Sequence, residues 1–377
     1  MNRLKSRRPQ ASIRSRRYKR GRLMGRNRVI SHSRLLPKRA PVNEVQPQNV
    51  EQPKDTGEYE AAKAGSHAAA GLQAPERSRS HMQETYLVWF PPESARQVSV
   101  PDVLGRSYAY SRGYNSGALP IINFIPLPLS GAASAVVSAS NEERTLPQVL
   151  SELLRLPFRE IIVVLNGCSD QSFDKVPKDR RIVKLNFPDR LGHDVGRALG
   201  ANVATGDILL FTDGDIPLPA EELAPFLLSV DHGADMVLND ISPFLPPFSR
   251  QDEVTRCKSF LNLSLGRPDL KASSLTAVPH ALSRKALTVT GIPALAVPPK
   301  AQAIALAHGL NVCAPYSVNV LRGNRIRSGN TGTGNAVARL IIGDHIEALG
   351  EVMKTEGPRL KTTRLSRSEL AKARNAP

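Results

Sequence analysis

The sequence predicts an α/β fold, a mixed and mostly parallel sheet flanked by helices, and three observations predict it. Residues 208–211 (ILLF) form a short, continuous apolar run, as a strand buried on both faces of a parallel sheet requires. Asp213 and Asp215 follow directly at its C-terminal end, with Gly214 between them. From about residue 119 onward, other short apolar runs alternate with amphipathic stretches of helical period. Open α/β sheets bind ligands beyond the carboxyl ends of their strands, where Asp-x-Asp can coordinate a divalent cation through oxygen and so hold a diphosphate. An Asp-Gly turn that merely closes a strand is the plainer alternative.

Three segments surround the acidic pair: SAVVSASNEERTLPQVL at 134–150, EIIVVLNGCSDQS at 160–172 and RLGHDVGRALGANVATGDILLFTDGDI at 190–216. In order and rough spacing they resemble family 2 glycosyltransferases. The resemblance implies a GT-A fold, a Rossmann-like sheet that binds a nucleotide-diphosphate sugar, with Asp213 and Asp215 holding Mn²⁺ or Mg²⁺. It implies transfer of a sugar from that donor to an acceptor hydroxyl, the acceptor itself being unknown.

Charge is concentrated at one end. Met1 to Arg39 holds fifteen Lys and Arg and no Asp or Glu, so it carries +15 of the formal +17 and leaves the remaining chain nearly neutral. Such a run buries too little apolar surface to offset its ordering entropy, which predicts disorder. Residues 40 to about 115, rich in Pro, Gln, Ser, Ala and Gly, read as its linker, and 354–377 as a second, basic, disordered tail. The domain plan is therefore 1–117 arm and linker, 118–353 GT-A-like domain, 354–377 tail. A basic arm attracts a polyanion or an anionic surface without choosing between them. No run of about 18 apolar residues occurs, so no transmembrane helix is expected. Cys168, Cys257 and Cys313 are odd in number and far apart, which suits a reducing, cytoplasmic location and excludes a zinc ribbon.

Along the chain, 135–138 reads as the first strand and 146–154 as the helix after it. The loop between them touches the nucleoside in the resembling family, which implies Ser138, Ser140 and Glu142 as binders; a helix cap with acidic first-turn residues is the alternative. The second strand, 160–165, ends in Asn166-Gly167-Cys168-Ser169-Asp170, where the family often carries two acids. Leu165 and Asn166 replace them, so Asn166 or Asp170 must supply base recognition. Gly192, Gly196 and Gly200 recur every four residues into a helix that they let lie close against the sheet. The family alignment points Arg197 of that helix toward the diphosphate, which its guanidinium can bind by two parallel hydrogen bonds.

Helices are expected at 220–229 and 249–265, the latter with Phe260, Leu261 and Leu265 on its apolar face, and a strand at 235–239. Residues 276–287 resemble the acceptor-side wall and contain His280, open to three roles: hydrogen-bonded structural residue, general base or metal ligand. No carboxylate follows between Lys271 and Arg339, where inverting members carry their acidic base. If a base exists there, His280 is the candidate. The Gly-rich, basic 322–335 could close over a diphosphate or be an exposed loop. In the helix expected at 336–353, the resemblance implies His345 as a further metal ligand. Two rivals stand beside the transferase: a noncatalytic nucleotide-sugar-binding protein, and a nucleotidyltransferase, whose Gly-rich loop after the first strand is absent.

Overall fold

Runs rich in Val, Ile and Leu become the strands of a seven-stranded sheet in the computed structural model, which describes residues 56–74, 76–117, 119–320, 336–361 and 367–375. The strands are β1 (Ala133–Ala139), β2 (Phe158–Asn166), β3 (Ile182–Phe187), β4 (Ile208–Asp213), β5 (Met236–Asn239), β6 (His280–Ser283) and β7 (Val312–Tyr316). Their order is β3-β2-β1-β4-β6-β5-β7. β1 pairs in parallel with β2 and β4, β2 with β3, and β5 with β7; only β6 runs antiparallel to its neighbours. The expected mixed, mostly parallel sheet is thus present, with the strand that bears Asp213 at its centre.

The helices that precede the sheet are α1 (Thr56–Ala69), α2 (Arg79–Trp89), α3 (Pro92–Ala95) and α4 (Val100–Asn115). Those interleaved with the strands are α5 (Leu146–Leu153), α6 (Ser172–Lys175), α7 (Val195–Val203), α8 (Ala220–Asp231), α9 (Glu253–Ser264), α10 (Arg284–Thr290) and α11 (Pro298–Ala307). After the last strand come α12 (Ala336–Glu356) and α13 (Arg367–Asn375). Strand side chains alternate between two cores, as the period of two dictates. Val137, Ile161, Val163 and Leu210 join the core shared with α5 and α8; Val136, Ile162, Val164, Leu209 and Phe211 join the one shared with α7, α11 and α12. On the second side Gly200 lets α7 lie on β1, since a Cβ there would stand 2.3 Å from a Val136 methyl.

Several expectations need correction. The linker ends at residue 55 at the latest: α1 to α4 are folded onto the α5 and α8 side of the sheet and bury Met82, Tyr86, Tyr110 and Tyr114. Each such side chain contributes about 1.5–3 kcal/mol by burial, enough to make helices of a segment whose Pro and Ser content reads as linker. Arg77 donates to the Tyr114 carbonyl at 2.6 Å, and the Tyr86 and Ser107 hydroxyls meet at 3.0 Å, while Nε of Arg77 and of Arg106 is buried without a partner among the described residues. The tail assigned to 354–377 is helical in part, through the end of α12 and α13. Phe260 is 57% exposed and not on the apolar face of α9, whereas Leu261 and Leu265 are buried as expected. Residues 1–39 and 322–335, the basic arm and the Gly-rich segment, lie outside the described residues. Among the described residues no helix is long and apolar enough to cross a membrane.

α1 and α4 touch backbone to backbone. A Cβ on Gly113 would stand 1.9 Å from the Ala62 carbonyl oxygen, and one on Gly65 would stand 2.2 Å from that of Tyr110. Glycine to alanine inside a helix ordinarily gains up to about 1 kcal/mol. Here the obstructing atom is backbone, so we predict that Gly113→Ala destabilises the protein by roughly 1–3 kcal/mol, read as a lower melting temperature by circular dichroism. An unchanged or raised melting temperature would contradict this helix pairing.

Candidate active site

Three parallel strands end at one level. Ser138 pairs with Asp213 across β1 and β4, and Ala139 with Leu165 across β1 and β2, one residue before Asn166. The loops that leave these ends, together with the residues ahead of α7, enclose a cleft of about 90 Å³. Ser138, Ser140, Glu142, Asn166, Arg197, Asp213 and Asp215 all line it, as the sequence reading expected of them. Gly214 permits the tight turn: a Cβ on it would stand 2.8 Å from that of Ala139.

Arg197 is the electrostatic centre. It is 5% exposed, its Nη1 is bonded to Asp194 Oδ1, and its Nη2 reaches Asp213 Oδ1 at 3.5 Å. The guanidinium thus engages the protein's own carboxylates, while its Nε and the Ser138 hydroxyl are buried with no partner among the described residues. α7 comes this close because Gly196 has no side chain; a Cβ there would stand 2.8 Å from Ser138 Oγ.

The remaining loop residues act on backbone. Asn166 donates to the Gly192 carbonyl at 2.7 Å and accepts from the Leu191 amide at 2.8 Å, so its side chain is spent on the 191–192 loop. Asp170 lies outside the cleft and accepts from the Ser172 and Glu143 amides at 2.9 and 3.1 Å. Burial acts to raise its pKa, but these hydrogen bonds outweigh it and hold the carboxyl below the usual range. Both side chains thus hold loop backbone, Asn166 at the cleft wall and Asp170 beside it. Glu142 is 2% exposed, its amide donating to Ser172 Oγ at 2.8 Å.

The two histidines stand apart from the cleft. His280 is fully buried on β6, stacked on Phe211 at 5.1 Å between ring centroids, and its Nδ1 donates to the Ala277 carbonyl at 3.0 Å. Burial, with the Arg197 charge, pushes its pKa down to about 3. An imidazole with no access to solvent does not meet an acceptor hydroxyl, which removes the geometric ground for the general base. His345, 2% exposed on α12, donates from Nδ1 to Ile341 at 2.6 Å and is pushed down to about 4, chiefly by burial. It does not join the acidic pair: among the described residues no three His, Cys, Asp or Glu gather as a metal-holding group.

Asp213 and Asp215 nevertheless fit a divalent cation of the Mg²⁺ or Mn²⁺ kind, which is bound through one or two carboxylates while substrate phosphates and water complete its shell. The unpartnered Ser138 Oγ and Arg197 Nε on the same cleft suit such a phosphate. The sequence reading missed Arg190, His193 and Asp194, which also line the cleft. Their signal was present: an arginine, a histidine and an acid stand just ahead of α7, within the segment 190–216 whose glycines and Arg197 alone were assigned roles. Lys258 of α9 was missed as well. Partly exposed by area, it is densely surrounded, and burial pushes it down to about 8, with Asp252 pulling upward and Arg197 pushing further down.

Residues 134–262 match the family Glycosyl transferase family 2, so the resemblance holds over that segment. An undecaprenyl-phosphate 4-deoxy-4-formamido-L-arabinose transferase from Proteus mirabilis is 27% identical over 114 residues, 28% of this chain and 35% of the relative. The chain therefore spans about a third of the length of that curated relative. Among solved structures, glucosyl-3-phosphoglycerate synthase from Mycobacterium tuberculosis, in complex with Mn²⁺, UDP and phosphoglyceric acid, aligns at 18% identity and a TM-score of 0.42, over 58% of this chain and 78% of that one. The same enzyme with phosphoglyceric acid aligns at 22% identity and a TM-score of 0.44, over 59% and 81%.

The buried histidines make stability depend on pH. His280 and His345 titrate near 3 and 4 when folded but near 6.5 when unfolded, so below about pH 6.5 the unfolded chain binds more protons. Stability is therefore present above pH 6.5 and falls as pH is lowered from there toward the folded values, by up to about 1.4 kcal/mol per pH unit for each group. We predict that His280→Phe makes the fall in melting temperature between pH 6.5 and about 4.5 shallower. An identical fall in variant and wild type would show that His280 is not buried neutral.

Proposed function

We propose that this chain is a glycosyltransferase that moves a sugar from a nucleotide-diphosphate sugar to an acceptor hydroxyl. One observation carries the reading: an acidic pair at the end of the central strand faces a cleft that also holds two unpartnered buried donors, within a segment matching glycosyl transferase family 2. In this reading Asp213 and Asp215 hold Mn²⁺ or Mg²⁺, and the bound cation supplies Lewis-acid stabilisation of the charge that develops on the departing diphosphate. Arg197 keeps Asp213 in place through one nitrogen and offers Nε to a phosphate oxygen; Ser138 offers its hydroxyl beside it. Ser140 and Glu142 form the nucleoside side of the cleft. Asn166 and Asp170 position the loops at 191–192 and 141–143. The basic arm tethers the enzyme to a polyanion or an anionic surface in the cytoplasm.

The donor's partner in a second reading is a binding protein without turnover. It is favoured by the burial of His280 together with the absence of any carboxylate between Lys271 and Arg339, which leaves the acceptor-side segment without an evident base.

Calorimetry with UDP- and GDP-sugars tests the donor site. Binding is expected only with Mn²⁺ or Mg²⁺, and Asp215→Asn should weaken it at least about tenfold, a loss of about 1.4 kcal/mol. Equal affinity with and without the cation, or in the variant, would sink the metal assignment. Turnover separates the two readings: sugar transfer or donor hydrolysis is expected of the wild type, and it should persist in His280→Phe because that ring does not reach the acceptor. Donor binding with no turnover on any acceptor would leave the binding-protein reading standing.

A further inference from the structure

A broader cleft lies at the other end of the sheet. It measures about 760 Å³ against about 90 Å³ for the candidate active site, and is walled by the N-terminal ends of β1 and β2, the residues leading into β3, and the first turn of α2. β1 is seven residues long, so the two clefts are separated by about 20 Å of strand.

Its chemistry is cationic. Arg79, Arg159, Arg180 and Arg181 line it with one carboxylate, that of Asp179. Asp179 is already engaged: it accepts from the Arg181 amide at 2.9 Å and from Arg181 Nε at 3.4 Å, and stands 4.0 Å from Arg79. Arg181 spends its other nitrogens on the Leu156 and Leu154 carbonyls. Among the described residues Arg180 reaches only Ser80 Oγ, at 3.4 Å, and Arg159 has no hydrogen bond or ion pair. Neither guanidinium is held in an ion pair, although the Arg159 charge acts on the neighbouring Glu160, whose carboxylate is bonded by Ser134 and Thr205. Burial and the neighbouring Arg181 charge lower the pKa of Arg79 despite Asp179, as expected where cations crowd. The eleven-residue α2 adds its amino end, where Ser78 caps only the His81 amide.

We propose that this cleft is a second, anion-binding site for a small molecule carrying at least two phosphate groups. Guanidinium forks on three separate elements match phosphate oxygens bidentately, and the volume falls in the range of small-molecule sites. A ligand there joins α2 to the sheet, and so ties the N-terminal helices to the domain that holds the acidic pair. The site does not depend on the glycosyltransferase reading, because none of its residues touches the candidate active site.

The test uses the full-length chain, inorganic pyrophosphate as probe, and EDTA to keep cations from Asp213 and Asp215. Calorimetry at physiological ionic strength should give saturable binding, weakened at least about tenfold in the double variant Arg159→Ala/Arg180→Ala and unchanged in Asp215→Asn. Both arginines are exposed, so the double variant keeps the fold. Absence of saturable binding to the wild type, equal affinity in the double variant, or loss of binding in Asp215→Asn would each overturn the proposal; the second would assign binding to cations elsewhere and the third to the acidic pair.

Discussion

A guanidinium buried to 5% exposure must be answered by carboxylates, and Arg197 is answered by Asp194 and Asp213. An uncompensated charge in that position would cost several kcal/mol, so the first turn of α7 is bound to the end of β4. Much of the site follows from that contact. Gly196 and Gly200 are the small residues that let α7 approach β1, and Asp213, its side chain 32% exposed, is held at the wall of the cleft. Beside burial, the same charge helps to keep His280 neutral and lowers the pKa of Lys258.

The sheet and the acidic pair were legible because their signals are local. A run such as 208–211 has few alternatives to a doubly buried strand, and residues just past its end must emerge at the sheet edge. The N-terminal helices were not legible by the same means. Met82, Tyr86 and Phe90 repeat at helical spacing, but α1 is held through Ala61 and Gly65, which carry no hydrophobic signal at all. Composition reports such a segment as linker, although tyrosines and close backbone contact give it a core.

Side-chain roles were less legible than positions. Ser138, Arg197 and Asp213 fall together as motif spacing implied, but spacing does not reveal that the Asn166 amide is consumed by the 191–192 backbone or that His280 points into the core. That Asn166 bonds the 191–192 backbone, and that His280 is buried, depends on which partner lies nearest in space. A histidine within an apolar strand segment bonds the adjacent carbonyl through one ring nitrogen, the other being buried without a partner among the described residues, and burial then takes away the titration that makes it attractive as a base. Two differently charged ends result: a narrow acid-bearing cleft at the carboxyl ends of the strands and a broad arginine-lined one at their amino ends.

The central claim is that Asp213 and Asp215 hold a divalent cation that in turn holds a diphosphate. Anomalous diffraction at the manganese edge, from crystals grown with Mn²⁺ and UDP, tests it most directly. The account predicts one strong peak about 2.0–2.3 Å from carboxylate oxygens of the pair, with diphosphate oxygens completing its shell. Nucleotide bound in the cleft with no peak at the pair, or a peak on other ligands, would contradict it.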